Sequence, residues 1–255
     1  MAPVLEVKHL EKDYGKRGTI TKAISGISFE VECGEYVGIM GASGSGKTTL
    51  LNCISTIDTP TAGEIIVDGN ELTKLRASKL AKFRREELGF IFQDASLLDT
   101  LTGYENIALA LTILKTPAKA IDPRVREVAG KLEISHVLDK FPYQMSGGER
   151  QRVAAARAII TEPSLVLADE PTGALDSKSA KMMLESFTKL NEGMGATILM
   201  VTHDSFAASF CKRILFIKDG KIFNEIVRGD DSRKAFFGRI IEVVTLLGGD
   251  SSDVL

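Results

Sequence analysis

The run Gly41-Ala42-Ser43-Gly44-Ser45-Gly46-Lys47-Thr48 constrains this chain more than any other feature. It follows a short apolar, strand-like stretch, Tyr36 to Met40, and opens a helix-like stretch, Thr48 to Ile57. A glycine-rich turn between a strand and a helix is the setting of a phosphate-binding loop. Its glycines let the backbone curl until successive N–H groups point at one anion. The helix that follows adds its positive end at the same place. Lys47 can reach the β- and γ-phosphates of a nucleotide, and the Thr48 hydroxyl can ligate Mg²⁺. The candidate binding set is therefore Gly41 to Thr48 together with Thr49.

Composition narrows the rest. The chain has 255 residues, enough for one large α/β domain or two smaller units with a substantial core. Its 32 basic and 34 acidic residues leave a net charge of −2, which argues against nucleic acid as a partner. Cys33, Cys53 and Cys211 are widely spaced, with no CxxC pair, and read as reduced core thiols of a cytosolic protein. The first residues lack a basic stretch followed by an apolar run, so no secretory signal is expected. No stretch approaches the roughly 18 uninterrupted apolar residues of a membrane helix. Work at a membrane would therefore go through a partner.

Strand-like segments are expected at Val4 to Val7, Ile24 to Val31 and Tyr36 to Ile39, and at Glu64 to Val67 before an Asp68-Gly69 turn. A helix is expected over Ala77 to Glu87, then a short strand ending at Gln93. Residues 100 to 142 read as helical, with breaks at Pro117, Pro123 and Pro142. Three further strands follow at Leu165 to Ala168, Thr197 to Val201 and Ile214 to Ile217, with a helix over Ser177 to Leu190 and a short one after Val201. Such alternation predicts a parallel sheet with helices around it. Ser232 to Leu247 carries apolar residues at helical spacing, as expected of one stripe packed on the domain or on a partner.

Two more segments carry chemistry. Ser164 to Pro171 is an apolar strand ending in Asp169 and Glu170, at the end where parallel sheets bind ligands. Asp169 can hold Mg²⁺ through water, and Glu170 can accept a proton from an attacking water. Ser146-Gly147-Gly148-Glu149 has the S-x-x-E capping-box pattern before an Arg- and Ala-rich helix. It reads equally well as a plain helix start or as a second phosphate grip, serving a nucleotide held by another chain.

With these motifs in order, the chain resembles the nucleotide-binding subunit of an ATP-binding-cassette (ABC) transporter, from about residue 4 to about residue 247. In that resemblance Gly41 to Thr48 is the Walker A loop, and Tyr14 matches the aromatic residue that stacks on adenine. Gln93 is the Q-loop glutamine, Met145 to Glu149 the signature, and Leu165 to Glu170 the Walker B strand. Ala174-Leu175-Asp176 is the D-loop and His203 the switch histidine. The resemblance implies an α/β P-loop NTPase fold. A mostly parallel core would carry an antiparallel β subdomain and an inserted helical subdomain at about 94–160. The ATPase domain would span 1–228, with a C-terminal amphipathic helix and tail at 229–255.

The resemblance further implies ATP and Mg²⁺ as cofactors, with Thr48, Gln93 and Asp169 at the metal. Glu170, His203, Gln93 and Lys47 would act in hydrolysis. Ser146, Gly147 and Gly148 would grip the ATP of a second copy in a head-to-tail dimer. An integral membrane permease would be the partner, placing the chain at the cytoplasmic face of the membrane.

One departure stands out: Met145 and Glu149 occupy positions where the family has Leu and Gln. Met suits the same apolar slot. Glu149 brings a negative charge near a phosphate, yet completes the capping box beside Arg150 and Arg152. A modest effect is expected. The stretches Val37 to Asn52, Ile57 to Ile65, Gly89 to Ile107, Ala168 to Ala180 and Met200 to Ser209 resemble ATPases of lipoprotein-release, macrolide-export and bacteriocin-type permeases. Phe92 to Thr102 and the tail with Phe236-Phe237 and Leu246 to Gly249 are most similar to the bacitracin-resistance type of Gram-positive bacteria. That type implies resistance to antimicrobial peptides and a membrane sensor histidine kinase as a signalling partner. Leu97 to Tyr104 would receive the permease's cytoplasmic helix. Other readings stay open: a soluble ABC ATPase that moves no solute, or a regulator of a cell-wall or division complex.

Overall fold

The computed structural model describes residues 3–15 and 20–248. The chain divides into two compact units, Met1–Leu75 with Leu199–Leu255, and Arg76–Ile198. Gly249, at the end of the quoted tail, lies outside the described residues.

In the first unit, β1 (Leu5–Tyr14) and β2 (Thr21–Val31) pair antiparallel. With the later strands β4 (Ala62–Val67) and β5 (Asn70–Glu71) they form a sheet of order β2-β1-β4-β5. β1 would alternate strictly, but its buried residues include both Val7 and Leu10, three apart. The register slips between them, where His9 takes φ 46°. This bulge keeps Leu10 on the core side and turns His9 out. Gly63 of β4 sits against it: a Cβ there would lie 2.5 Å from the His9 carbonyl oxygen.

β3 (Tyr36–Met40) is buried throughout, as a strand covered on both faces should be. It runs parallel to β9 (Arg213–Lys218), and β8 (Ile198–Val201) runs along its other side. β10 (Lys221–Val227) folds back on β9 through Asp219 (φ 49°) and Gly220 (φ 72°). Two consecutive left-handed residues make the tight hairpin turn that Asp-Gly favours. The sequence reading missed β10 because its apolar residues lie on an edge strand with a register slip after Ile222.

Helix α1 (Lys47–Ile54) leaves the phosphate loop. It ends three residues short of the expected Ile57, because Thr56 turns left-handed at φ 59°. Much later come α7 (Ser205–Ala208) and α8 (Arg233–Gly248), which buries Phe236, Ile240 and Val243. That is the expected stripe, narrowed to positions i, i+4 and i+7.

The second unit holds α2 (Ala77–Glu87) and β6 (Leu88–Ile91), with β6 parallel to β7 (Leu165–Asp169). β6 stops two residues before Gln93, so that glutamine sits on a loop rather than at a strand end. The helices are α3 (Gly103–Ile113), α4 (Ala118–Lys131), α5 (Gly147–Ile159) and α6 (Ser177–Met194). Pro123 was expected to break a helix, yet α4 runs through it. The ring removes one N–H, but both Pro123 and Lys119, whose carbonyl loses that partner, are exposed. Water can satisfy the orphan.

One cysteine expectation is corrected. Cys53 and Cys211 are buried free thiols, but Cys33 is exposed, in the turn between β2 and β3. No helix among the described residues is long and apolar enough to cross a membrane.

Candidate functional site

In the first unit the phosphate loop begins where β3 ends. A Cβ on Gly41 would fall 2.2 Å from the Ile217 carbonyl oxygen and 2.6 Å from Ser45 Oγ, so only glycine fits. Gly44 (φ 78°) and Gly46 (φ 104°) supply the left-handed turns that bring the chain onto α1. Gly46 is the N-cap, with no side-chain cap and no acid in the first turn. The first N–H groups of a helix have no partner within it and suit an anion. Lys47 curls back over the loop, Nζ donating to the Gly41 carbonyl at 2.9 Å and the Ala42 carbonyl at 2.8 Å. Ser45 Oγ is buried and has no hydrogen-bond partner among the described residues. An orphan hydroxyl, an uncapped helix start and a lysine around a glycine-lined turn fit a polyphosphate. Ala42, Ser43, Gly44 and Thr48 form the exposed lip of that turn, and Thr49 is partly covered.

Tyr14 lies in the same unit. Its hydroxyl donates to Asp58 Oδ2 at 2.6 Å and also reaches the Thr49 side chain on α1. Lys12 Nζ sits 4.8 Å from the centre of the Tyr14 ring and donates to Asp58 Oδ1 at 2.6 Å. Burial works against the Asp58 carboxylate, but hydrogen bonds from Lys12 and Tyr14 outweigh it and hold its pKa below the usual range. The network ties the candidate adenine-stacking ring to the helix that starts at the phosphate loop. Asp58 had no local signal in the sequence, since it meets Tyr14 across 44 residues.

His203 follows β8. The Thr202 N–H donates to the Ile39 carbonyl of β3 at 3.1 Å, so His203 emerges at the end of the sheet where β3 feeds the phosphate loop. On its other side, Asp204 caps α7 by accepting from the Phe206 N–H at 2.8 Å. His203 is exposed between two pinned neighbours.

In the second unit, the register Ile91↔Ala168 sets Gln93 and the Asp169-Glu170 pair at the same end of β6 and β7. The Gln93 side chain lies on Gly173, where a Cβ would come 2.9 Å from its Nε2. Gln151 of α5 donates to the Phe92 carbonyl at 3.0 Å and to the Gln93 carbonyl. Glu170 takes φ 44°, a left-handed backbone that a non-glycine residue adopts at a cost of about 1–2 kcal/mol. The turn that holds it closes by the Gly173 N–H donating to the Glu170 carbonyl at 2.9 Å. Strain of this kind is kept where a side chain must be aimed. Asp176 then caps α6, accepting from the N–H groups of Lys178 and Ser179, both at 3.0 Å.

The signature segment folds as its pattern predicts. Ser146 caps α5, accepting from the Glu149 N–H at 3.3 Å, and Glu149 Oε2 accepts from the Ser146 N–H at 2.7 Å. Gly147 and Gly148 pack close to Leu175 and Ser179, where a Cβ on Gly148 would lie 3.0 Å from that of Ser179. The unexpected partner is His136, whose Nε2 lies 2.9 Å from Glu149 Oε1. Neither Arg150 nor Arg152 takes that place: Arg150 donates instead to the Met145 carbonyl at 3.0 Å. The Ser146 N–H first, then His136, holds the Glu149 carboxyl down at about 2 despite partial burial.

A phosphate loop on a parallel strand, with paired acids ending another, defines a nucleotide-binding α/β protein. The family pattern described as ABC transporter matches residues 24–173. The chain is 52% identical to the bacitracin export ATP-binding protein BceA of Halalkalibacterium halodurans, over 98% of this chain and 99% of that one. It is 51% identical to the ABC transporter ATP-binding protein YxdL of Bacillus subtilis, over 100% of this chain and 98% of that one. Among solved structures, a dimeric post-hydrolysis state of the ATP-binding cassette MJ0796 bound to ADP and Pi superposes with a TM-score of 0.78. It is 38% identical and covers 88% of this chain and 98% of its own. This chain belongs to the ABC transporter family. It is an ATP-binding subunit and an ATPase.

Proposed function

We propose that this ATPase drives a separate membrane permease that protects the cell from antimicrobial peptides of the bacitracin or lantibiotic kind. The observation that carries the reading is the 52% identity along nearly the full length of both chains to a bacitracin export subunit. Macrolide-export relatives are 44% identical, but this chain spans only 33% of their length.

In this reading Gly41 to Thr49 cradle the triphosphate and Tyr14 stacks on the adenine. Thr48, Gln93 and Asp169 would hold Mg²⁺, which shields phosphate charge; hydroxyl, amide and carboxylate oxygens suit that hard cation. Glu170 accepts the proton of the attacking water, and His203 orients the γ-phosphate. As water adds to the γ-phosphorus, the bond to the bridging oxygen breaks and ADP leaves. Lys47 and the α1 N-terminus stabilise the charge on the phosphoryl group. A second copy contributes Ser146, Gly147 and Gly148 to each ATP, in a two-fold head-to-tail dimer. Loss of the γ-phosphate then loosens the pair, a ligand-driven two-state switch.

The permease would hold the chain at the cytoplasmic face of the membrane. Its docking surface includes Leu98, which is 47% exposed. The buried Asn106 fixes that loop, accepting from the Leu98 N–H and donating to the Leu98, Leu101 and Thr102 carbonyls. A sensor histidine kinase as a further partner rests on the family resemblance alone.

The test is a pull-down from detergent-solubilised native membranes, with tagged Glu170→Gln chain and ATP. The reading expects a many-helix permease with a large extracellular domain, and loss of that permease with Leu98→Asp. Recovery of a macrolide or cell-division permease, or of soluble partners alone, would overturn the peptide assignment and leave the ATPase standing.

A further inference from the structure

Glu149 poses a physical problem. Its carboxylate sits in the first turn of α5, the helix start that should grip an anion. Hydrogen bonds keep it ionised at any pH the cell meets. An unscreened negative charge there would repel a triphosphate. The surrounding groups show what offsets it. Oε2 is taken by the Ser146 N–H, and Oε1 faces His136 Nε2. Lys140 acts on Glu149 only through space. Arg150 is committed to the Met145 carbonyl, and Glu133 lies within the field of Arg152. Asp139, three residues after His136, bears on Arg126.

His136 is also well placed to serve. The turn at Ser135–Val137 is fixed from below by the buried Val137. Just beyond it, the Leu138 and Lys140 carbonyls accept the Tyr104 and Gly103 N–H groups of α3, each at 2.8 Å. The ring stands on a rigid support with its edge on Glu149.

Given the head-to-tail ATP dimer proposed above, we infer that His136 is a positioning residue of the signature. Its Nε2 engages Glu149 Oε1 and holds the carboxylate back, so that Ser146, Gly147 and Gly148 can face the γ-phosphate bound to the other copy. The pairing makes the Glu in this signature workable.

The experiment follows ATP-driven dimerisation of the full chain carrying Glu170→Gln, by size-exclusion chromatography with light scattering. His136→Ala should raise the ATP concentration for half-dimerisation about tenfold. His136→Gln and His136→Lys each keep an N–H donor for Glu149 Oε1 and should preserve dimerisation. Glu149→Gln should dimerise at no more ATP than the parent, and His136→Ala added to it should do no further harm. Binding of a fluorescent ATP analogue to each variant checks that the first unit is folded. Equal loss from His136→Ala with and without Glu149→Gln would mean mere structural support and would sink the inference, as would no loss at all. A Glu170→Gln parent that binds ATP yet stays monomeric would instead remove the head-to-tail reading, and this inference with it.

Discussion

At Gly46 a methyl group would come 2.4 Å from the Ala23 carbonyl oxygen, on a backbone already at φ 104°. Gly46→Ala should therefore cost at least about 2 kcal/mol of stability and abolish nucleotide binding. Thermal melts with and without ATP would show it, as a lower midpoint that ATP no longer raises. Glu170→Gln separates the two halves of the chemistry. Removing the proposed proton acceptor should slow hydrolysis about 10²–10⁴-fold and leave ATP affinity intact, read by phosphate release beside equilibrium binding. Single residues were the scale most legible in the sequence. The roles proposed for Gly41, Lys47, Asp169 and Glu170 rest on their neighbours in the chain. Asp58 and His136 do not. Each meets its partner over a sequence gap that no local pattern spans, 44 residues to Tyr14 and 13 to Glu149.

Among the elements, α8 is held by three buried side chains and by Arg233, whose guanidinium lies 4.3 Å from the centre of the Phe210 ring. Phe236 is wholly buried, so Phe236→Ala should cost about 3–5 kcal/mol. Urea unfolding would report it, and limited proteolysis should then cut within 233–248 first. Asn106 does comparable work for the 98–102 loop. Asn106→Ala would remove that side chain's bonds to the Leu98 N–H and to the Leu98, Leu101 and Thr102 carbonyls, at about 1–3 kcal/mol, and amide exchange should speed up over 98–102 before it does elsewhere. The stripe of α8 could be read directly, because periodicity survives when one face is buried, and the span of α2 from its polar, helix-forming residues. β10 could not, because an edge strand needs no continuous apolar face. Pro123 misled for a related reason: the rule against proline in helices assumes that its lost hydrogen bond is out of reach of water.

Over the whole molecule, several carboxylates share one direction of shift. Glu149 is held near 2, and Asp58 and Asp176 also lie below their usual range. A carboxyl whose folded pKa is depressed stabilises the fold above its unfolded value and loses that contribution as pH falls towards the folded one. The melting temperature should thus hold from pH 7 to about pH 5 and then drop steadily towards pH 3. Glu149→Gln should blunt the lowest part of that drop. The parallel sheet was predictable from alternating strands and helices. The distribution of the chain into Met1–Leu75 with Leu199–Leu255 and a separate Arg76–Ile198 unit was not, since it depends on contacts far apart in sequence. The three cysteines carry a practical consequence. Cys53 is buried with its thiol pushed up to about 11, chiefly by burial, and burial raises Cys211 as well, while Cys33 stands exposed between β2 and β3. Thiolate is the reactive form. A maleimide dye should therefore attach at a single point on the natural chain, giving a donor and an acceptor on two copies whose energy transfer would time opening and closing without any engineered residue.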